Sequence, residues 1–162
     1  AAQRAGSELW FYIAWVPQGR YPNRMIDSQA IKSRVLHWLN ATYDTTGYLH
    51  WALNHWQIPL TSLGSPGDQY ITWPSRRYIA NGSLRYEAER EGLEDCELMF
   101  MLRDALAKTG LDRAEAQKRM VSIAGKAVRN IQDYTRSWRE LEAVRLELLQ
   151  RTEAALTEAG HR

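Results

Sequence analysis

The stretch 47–56, Gly-Tyr-Leu-His-Trp-Ala-Leu-Asn-His-Trp, constrains the fold more than any other part of the chain. In extended backbone, side chains alternate, so Tyr48, His50, Ala52 and Asn54 share one face while Leu49, Trp51 and Leu53 share the other. Neither face is plainly polar. Such a strand needs a sheet covered on both sides, as in a barrel sheathed by helices with side chains filling its interior. A second stretch of this kind, Leu-Trp-Phe-Tyr-Ile-Ala-Trp, occupies residues 9–15. Between the two, residues 28–42 place Ile31, Val35, Trp38 and Leu39 at helical spacing, with Asp27 or Ser28 as the N-cap. Strand, helix, strand is a βαβ unit, so the strands over 9–15 and 47–53 are expected to be parallel neighbours. The first of them begins almost at the first residue, with no partner before it. The sheet is therefore expected to continue into a missing amino-terminal part, and the free edge of that strand to be apolar and uncovered.

The remainder reads in two characters, because 14 of the 17 Phe, Trp and Tyr residues lie at or before Tyr86. After Trp56 a long region punctuated by Gly and Pro runs to Gly82, with one β-like piece at 69–73; its aromatics argue for an ordered, functional loop. From Ser83 the chain is charged and helical. The stripe Leu98, Met99, Leu102 and Leu106 ends at Thr109-Gly110. Asp112 with Glu115 opens a second helix, whose stripe is Met120, Ile123, Ala124, Ala127, Val128 and Ile131. Ser137 with Glu140 opens a third along Leu141, Val144, Leu148, Thr152 and Ala155. The last two helices are expected to pair antiparallel on the outside of the sheet. Residues 1–108 thus read as strands, loops and helices of one α/β unit, and 109–162 as a helical pair of the same domain.

Composition excludes several classes. A net charge of +2 in a chain that is 25% charged, with no Lys/Arg block, implies neither nucleic acid nor membrane. Cys96 is the only cysteine, so no internal disulfide framework and no multi-cysteine zinc site can form, and the compartment stays open. The first residues have no apolar core for a signal peptide, and no run approaches the roughly 20 apolar residues of a membrane span. No cofactor motif is present.

Candidate chemistry is sparse. Before Ser83 the carboxylates are Glu8, Asp27, Asp44 and Asp68, none ending a predicted strand beside another, so no two-carboxylate glycosidase site assembles there. The adjacent pair Glu94-Asp95 falls inside a helix, where Arg90 reaches Glu94, and a structural charge network is the stronger reading. His50 and His55 are not at a metal-ligand spacing; His50 reads as hydrogen-bonded lining on the face of Asn54. Trp51 reads more readily as packing between sheet and helices than as a ligand contact. Asn54 and Trp56 reverse that balance. They stand past the carboxyl end of the strand, where such barrels bind ligands, and an indole suits the C–H face of a sugar while the amide suits hydroxyl or acetamido groups. Trp15 ends the other strand at the same rim, equally open to core and site.

Four segments together, 8–17, 21–27, 47–56 and 83–98, resemble the carboxyl-terminal half of the glycoside hydrolase family 123 catalytic domain and its uncharacterised relatives. The resemblance extends over nearly all the chain, as 133–136 is similar to that family's closing helices. It implies the last two or three parallel strands of a (β/α)8 TIM barrel followed by closing helices. It also implies a retaining, substrate-assisted β-N-acetylgalactosaminidase, in which the sugar's acetamido oxygen attacks, an Asp steadies it and an adjacent Glu is the acid. No residue here matches that Asp-Glu pair, which belongs to an earlier strand. The expected partners are a carbohydrate ligand and the missing amino-terminal part of the same barrel, with Asn54, Trp56, His50 and Trp15 binding substrate and no catalytic residue in this chain. A non-catalytic carbohydrate-binding module and a purely structural domain are the alternatives.

Overall fold

The computed structural model of the chain describes residues 3, 6–57, 66–77 and 79–161. Its elements are β1 (Trp10–Ile13), α1 (Ile31–Tyr43), β2 (Gly47–His50), β3 (Trp73–Pro74), β4 (Ala80–Asn81), α2 (Leu84–Lys108), α3 (Arg113–Ala124) and α4 (Trp138–Gly160). Over the described residues the protein is a mixed α/β fold of four helices and two small sheets. β1 and β2 are parallel neighbours, with Trp10 opposite Gly47 and Ile13 opposite His50. β3 and β4 form an antiparallel pair of their own.

Alternation decides which side chains meet α1. Phe11, Ile13, Tyr48 and His50 point to the helix, and the His37 ring meets Tyr48 edge-on at 5.2 Å. Trp10, Tyr12, Leu49 and Trp51 take the opposite face and are all exposed. Trp51 is thus not packed between sheet and helices, because its face of the sheet is the one α1 does not cover. Among the described residues β1 has β2 as its one neighbour, and beside its other edge runs an apolar groove of about 400 Å³ bounded by Leu9, Phe11, Pro17, Tyr21, Leu36 and Leu39.

Several boundaries differ from the sequence expectation for local reasons. β2 ends at His50, short of 53, because the chain then turns to pair with a different segment: His55 N–H donates to Gln69 O and Ile71 N–H to Leu53 O, around an antiparallel bridge between Asn54 and Tyr70. The β-like piece at 69–73 serves as that partner. α1 begins at Ile31, after a turn in which the Lys32 and Ser33 N–H groups bond to Gln29 and Ala30 carbonyls; neither Asp27 nor Ser28 caps it. α3 stops at Ala124, and Ile131 is exposed, since residues 125–135 form a closed turn held by the Val128–Tyr134 bridge and the Arg129–Asp133 pair. The three later helices start where the caps say: Ser83, Asp112 and Ser137 each accept from the N–H three residues on. Of the long region 57–82, residues 58–65 and Tyr78 lie outside the described residues.

α1 meets the sheet through β2, whereas the last two helices, expected on the outside of the sheet, pack on α2 instead. α2 lies along α1, and α3 and α4 lie on α2. Their shared core joins Val35 and Trp38 to Met99, Leu102, Met120, Leu141 and Leu148, all essentially inaccessible. α1 and α2 come so close at Gly92 that a Cβ there would run into the Arg34 backbone, so only glycine fits. One carboxylate fastens three helices. Asp95, with no exposed surface, accepts from Arg34 Nε at 2.6 Å, Trp38 Nε1 at 2.9 Å and Arg145 Nε at 2.8 Å. Arg34 also reaches Glu91 at 3.0 Å and Glu142 at 2.5 Å. This settles the Glu94-Asp95 pair as structure: Asp95 is sealed and Glu94 pairs with Arg90 on the surface. Removing one member of a buried ion network strands the others, so Asp95→Ala is expected to lower the unfolding free energy by about 3–5 kcal/mol. Urea titration would show it; a loss below about 1 kcal/mol would mean that the two arginines find water instead.

Candidate functional site

The motif Tyr21-Pro-Asn-Arg holds the ends of both strands. Buried Asn23 donates from Nδ2 to Ala14 O (2.9 Å) and Pro17 O (2.8 Å), which fixes the chain leaving β1. Buried Arg24 donates from Nη2 to the Ala52 carbonyl and to His50 Nδ1 (2.6 Å), which fixes the chain leaving β2. The same guanidinium faces Glu89 of α2 at 3.7 Å. Arg85, one turn earlier, donates to three carbonyls: Arg24 (2.6 Å), Gly67 (3.1 Å) and Tyr70 (2.9 Å). Gly67 has φ +84°, and a Cβ there would meet Arg85 Nη1 at 2.6 Å. Glycine at this point lets the loop lie against the arginine and present the next residue, Asp68.

Asp68 is buried and bridges two rings. Its Oδ2 accepts from Trp51 Nε1 at 2.7 Å, and its Oδ1 lies 3.1 Å from His50 Nε2 without the alignment of a hydrogen bond. Since His50 Nδ1 accepts from Arg24 and from the Ala52 N–H, the neutral ring carries its proton on Nε2, toward Asp68. Burial first, and then the Arg24 and Arg85 guanidiniums, hold His50 neutral down to about 3 despite that carboxylate. Burial pushes the Asp68 carboxyl above its ordinary range, against the pull of Trp51 and Arg24. Burial, and next to it Glu89, pushes the Tyr48 phenol up as well.

Two concavities open beyond the carboxyl ends of β1 and β2. One, about 570 Å³, is lined by Tyr12, Ala14, Trp15, Val16, Trp51 and Asp68. The other, about 490 Å³, is lined by the run 51–57. Trp15 is 59% exposed at the first. At the second, Asn54 is exposed and Trp56 is half-buried, its indole N–H donating to Thr72 O at 2.8 Å. His50 lines neither cavity; it sits behind them, on the α1 side of the sheet. Sequence reasoning gave no role to Asp68, Arg24 or Arg85. The partners of their side-chain hydrogen bonds lie 15 to 61 residues away. A usable signal existed: a histidine and a tryptophan at the end of a buried strand need partners, and few carboxylates precede Ser83. Among the described residues, no group of His, Cys, Asp or Glu is placed to hold a metal ion, and no helix is long and apolar enough to cross a membrane.

The model of the glycoside hydrolase 123 catalytic domain matches residues 1–102. The chain belongs to that family. No curated protein matches it. The glycoside hydrolase 123 match takes in β1, α1, β2, both concavities and the part of α2 that carries Arg85, Glu89 and Asp95; α3 and α4 lie outside it. Membership makes the chain glycoside hydrolase-like and implies a carbohydrate substrate.

The buried histidine gives the domain a pH signature. Unfolded, the imidazole titrates near its ordinary 6.5; folded, it stays neutral to about 3. Between those values the unfolded chain binds a proton that the folded chain refuses, so stability is full above about 6.5 and falls as pH drops below it. Asp68, raised, contributes with the opposite sign, so the share of His50 is read as the difference between the wild type and a His50 variant over the first unit below 6.5. The expected slope there approaches about 1.4 kcal/mol per pH unit. In His50→Gln, urea unfolding between pH 7.5 and 5.5 should show that slope gone, whatever the variant's absolute stability; an unchanged slope would place the titration elsewhere.

Proposed function

We propose that the chain is the carboxyl-terminal part of a (β/α)8 barrel that acts as a retaining, substrate-assisted β-N-acetylgalactosaminidase, for which it supplies the substrate-binding rim and scaffold. The observation that carries this is the pair of tryptophan-walled concavities at the carboxyl end of a parallel β-α-β unit, within the family-matched span. Ligands of barrel enzymes bind at that end. The exposed face of Trp10, Tyr12, Leu49 and Trp51 and the edge of β1 that has no strand beside it among the described residues fit further strands of the same barrel. Residues 109–162 extend this domain as a helical layer. The acid and the acetamido-steadying carboxylate belong to those further strands, and Asn54, Trp56 and Trp15 contact the sugar, with His50 supporting them from behind.

A second reading has one observation in its favour. Of the residues lining the two concavities, Asp68 alone carries a carboxylate, which fits sugar binding without turnover. Hydrolysis of aryl β-N-acetylgalactosaminide by the full-length protein separates the two. If it is an enzyme, Trp56→Ala is expected to weaken substrate binding by about 1–3 kcal/mol, the scale of aromatic stacking losses, with little change in melting temperature. Asn54→Ala is expected to lower kcat more than it raises KM, if the amide contact strengthens in the transition state. Kinetics unchanged in both variants would remove them from the site, and binding without any hydrolysis would establish the module reading.

A further inference from the structure

Trp51 belongs to both concavities: one adds Tyr12, Trp15 and Asp68 to it, the other Asn54 and Trp56. An indole 44% exposed on an uncovered sheet face would ordinarily be free to change rotamer. This one is held. Its N–H donates to Asp68 Oδ2 at 2.7 Å, and the His50 and His55 rings flank it at 6.4 and 5.7 Å. Asp68 is only 3% exposed, and its other oxygen has no aligned hydrogen bond among the described residues. Burying a carboxylate with incomplete compensation costs stability. The indole it holds is exposed on the sheet face that α1 does not cover.

We infer that Trp51 is the partition between two adjacent sugar subsites and that Asp68 is the positioning residue that locks it, so that the ligand class is a glycan of at least two sugar units. This rests on the carbohydrate reading above. Each concavity is within the volume range of small-ligand sites, and a ring fixed before binding spares the ligand the entropy of ordering it. A single sugar touches one side of the partition, whereas a disaccharide touches both. An indole released from Asp68 therefore weakens the larger ligand more.

The test uses the full-length protein, N-acetylgalactosamine, and a thio-linked, non-hydrolysable β-disaccharide that carries it at the non-reducing end. Calorimetry of Asp68→Ala is expected to show about 10-fold weaker disaccharide binding and a monosaccharide affinity within about 2-fold of wild type. In the ligand-free protein labelled with ¹⁵N-tryptophan, the Trp51 indole N–H should shift and exchange faster in Asp68→Ala. Asp68→Asn keeps an oxygen acceptor and should preserve both readouts. If Asp68→Ala does not fold, Trp51→Phe, which keeps a ring but removes the N–H, should give the same affinity split. An indole signal indifferent to Asp68→Ala overturns the lock, and equal losses for both ligands overturn the partition while leaving sugar binding intact. A wild-type protein that binds neither sugar overturns the carbohydrate reading and the subsites with it, and the indole signal still decides the lock.

Discussion

A sealed carboxylate, Asp95, sets the position of everything that carries the site. It is reached by Arg34 and Trp38 from α1 and by Arg145 from α4, and it belongs to α2 itself. An ion buried this deeply is tolerable only with several donors in place at once, so the contact admits one mutual arrangement of the three helices. The same close approach forces glycine at position 92. With α1 fixed against α2, the sheet face that packs on α1 is fixed too, and with it the direction in which β1 and β2 deliver their last residues.

From that helical layer a chain of polar contacts runs outward: Glu89 on α2, Arg24, His50, Asp68 and finally the indole of Trp51. Each link lowers the cost of burying the next. The cations Arg24 and Arg85 lie close enough that Arg85 is held down to about 10, by burial first and then by Arg24. A protonated His50 between them would add a third positive charge. Keeping His50 neutral lets it accept from Arg24 on one nitrogen and turn its N–H to Asp68 on the other. The histidine thus carries orientation across the sheet without carrying charge.

How much of this the amino-acid sequence discloses depends on the range of the interaction. The caps at Ser83, Asp112 and Ser137 are bonds between residues three apart, and the α4 stripe from Leu141 to Ala155 is a period of one helix; both are legible because cause and effect share a short segment. Alternation likewise separates Tyr48 and His50 from Leu49 and Trp51. It does not say which set meets α1, since both are apolar, and so Trp51 reads as core when it faces outward. The pairings that build the site, Arg24 with His50 and Asp68 with Trp51, span 26 and 17 residues. They depend on loop paths that a glycine at 67 and three carbonyls on Arg85 determine, and no local pattern encodes them. Ser28 fails as a cap for a related reason: a tight turn from Gln29 supplies the carbonyls that a side chain would otherwise replace.

The two kinds of surface around β2 answer different physical demands. On the α1 side the polar groups are enclosed, and their value lies in having one geometry. On the open side Trp15 and Trp51 present large apolar faces that contribute to binding only if they are already still when a ligand arrives. A tryptophan offers that at low cost because it has two side-chain torsions and one N–H by which it can be tied. Asp68 and the Thr72 carbonyl do the tying for Trp51 and Trp56 respectively. Trp51 has its acceptor on a buried side chain that is itself braced by His50, and Trp56 has one on the backbone of the segment that pairs with 53–55. Both indoles are therefore anchored to parts of the chain that Arg24 and Arg85 hold to the helices, and the apolar walls of the concavities inherit their rigidity from the buried charges behind them.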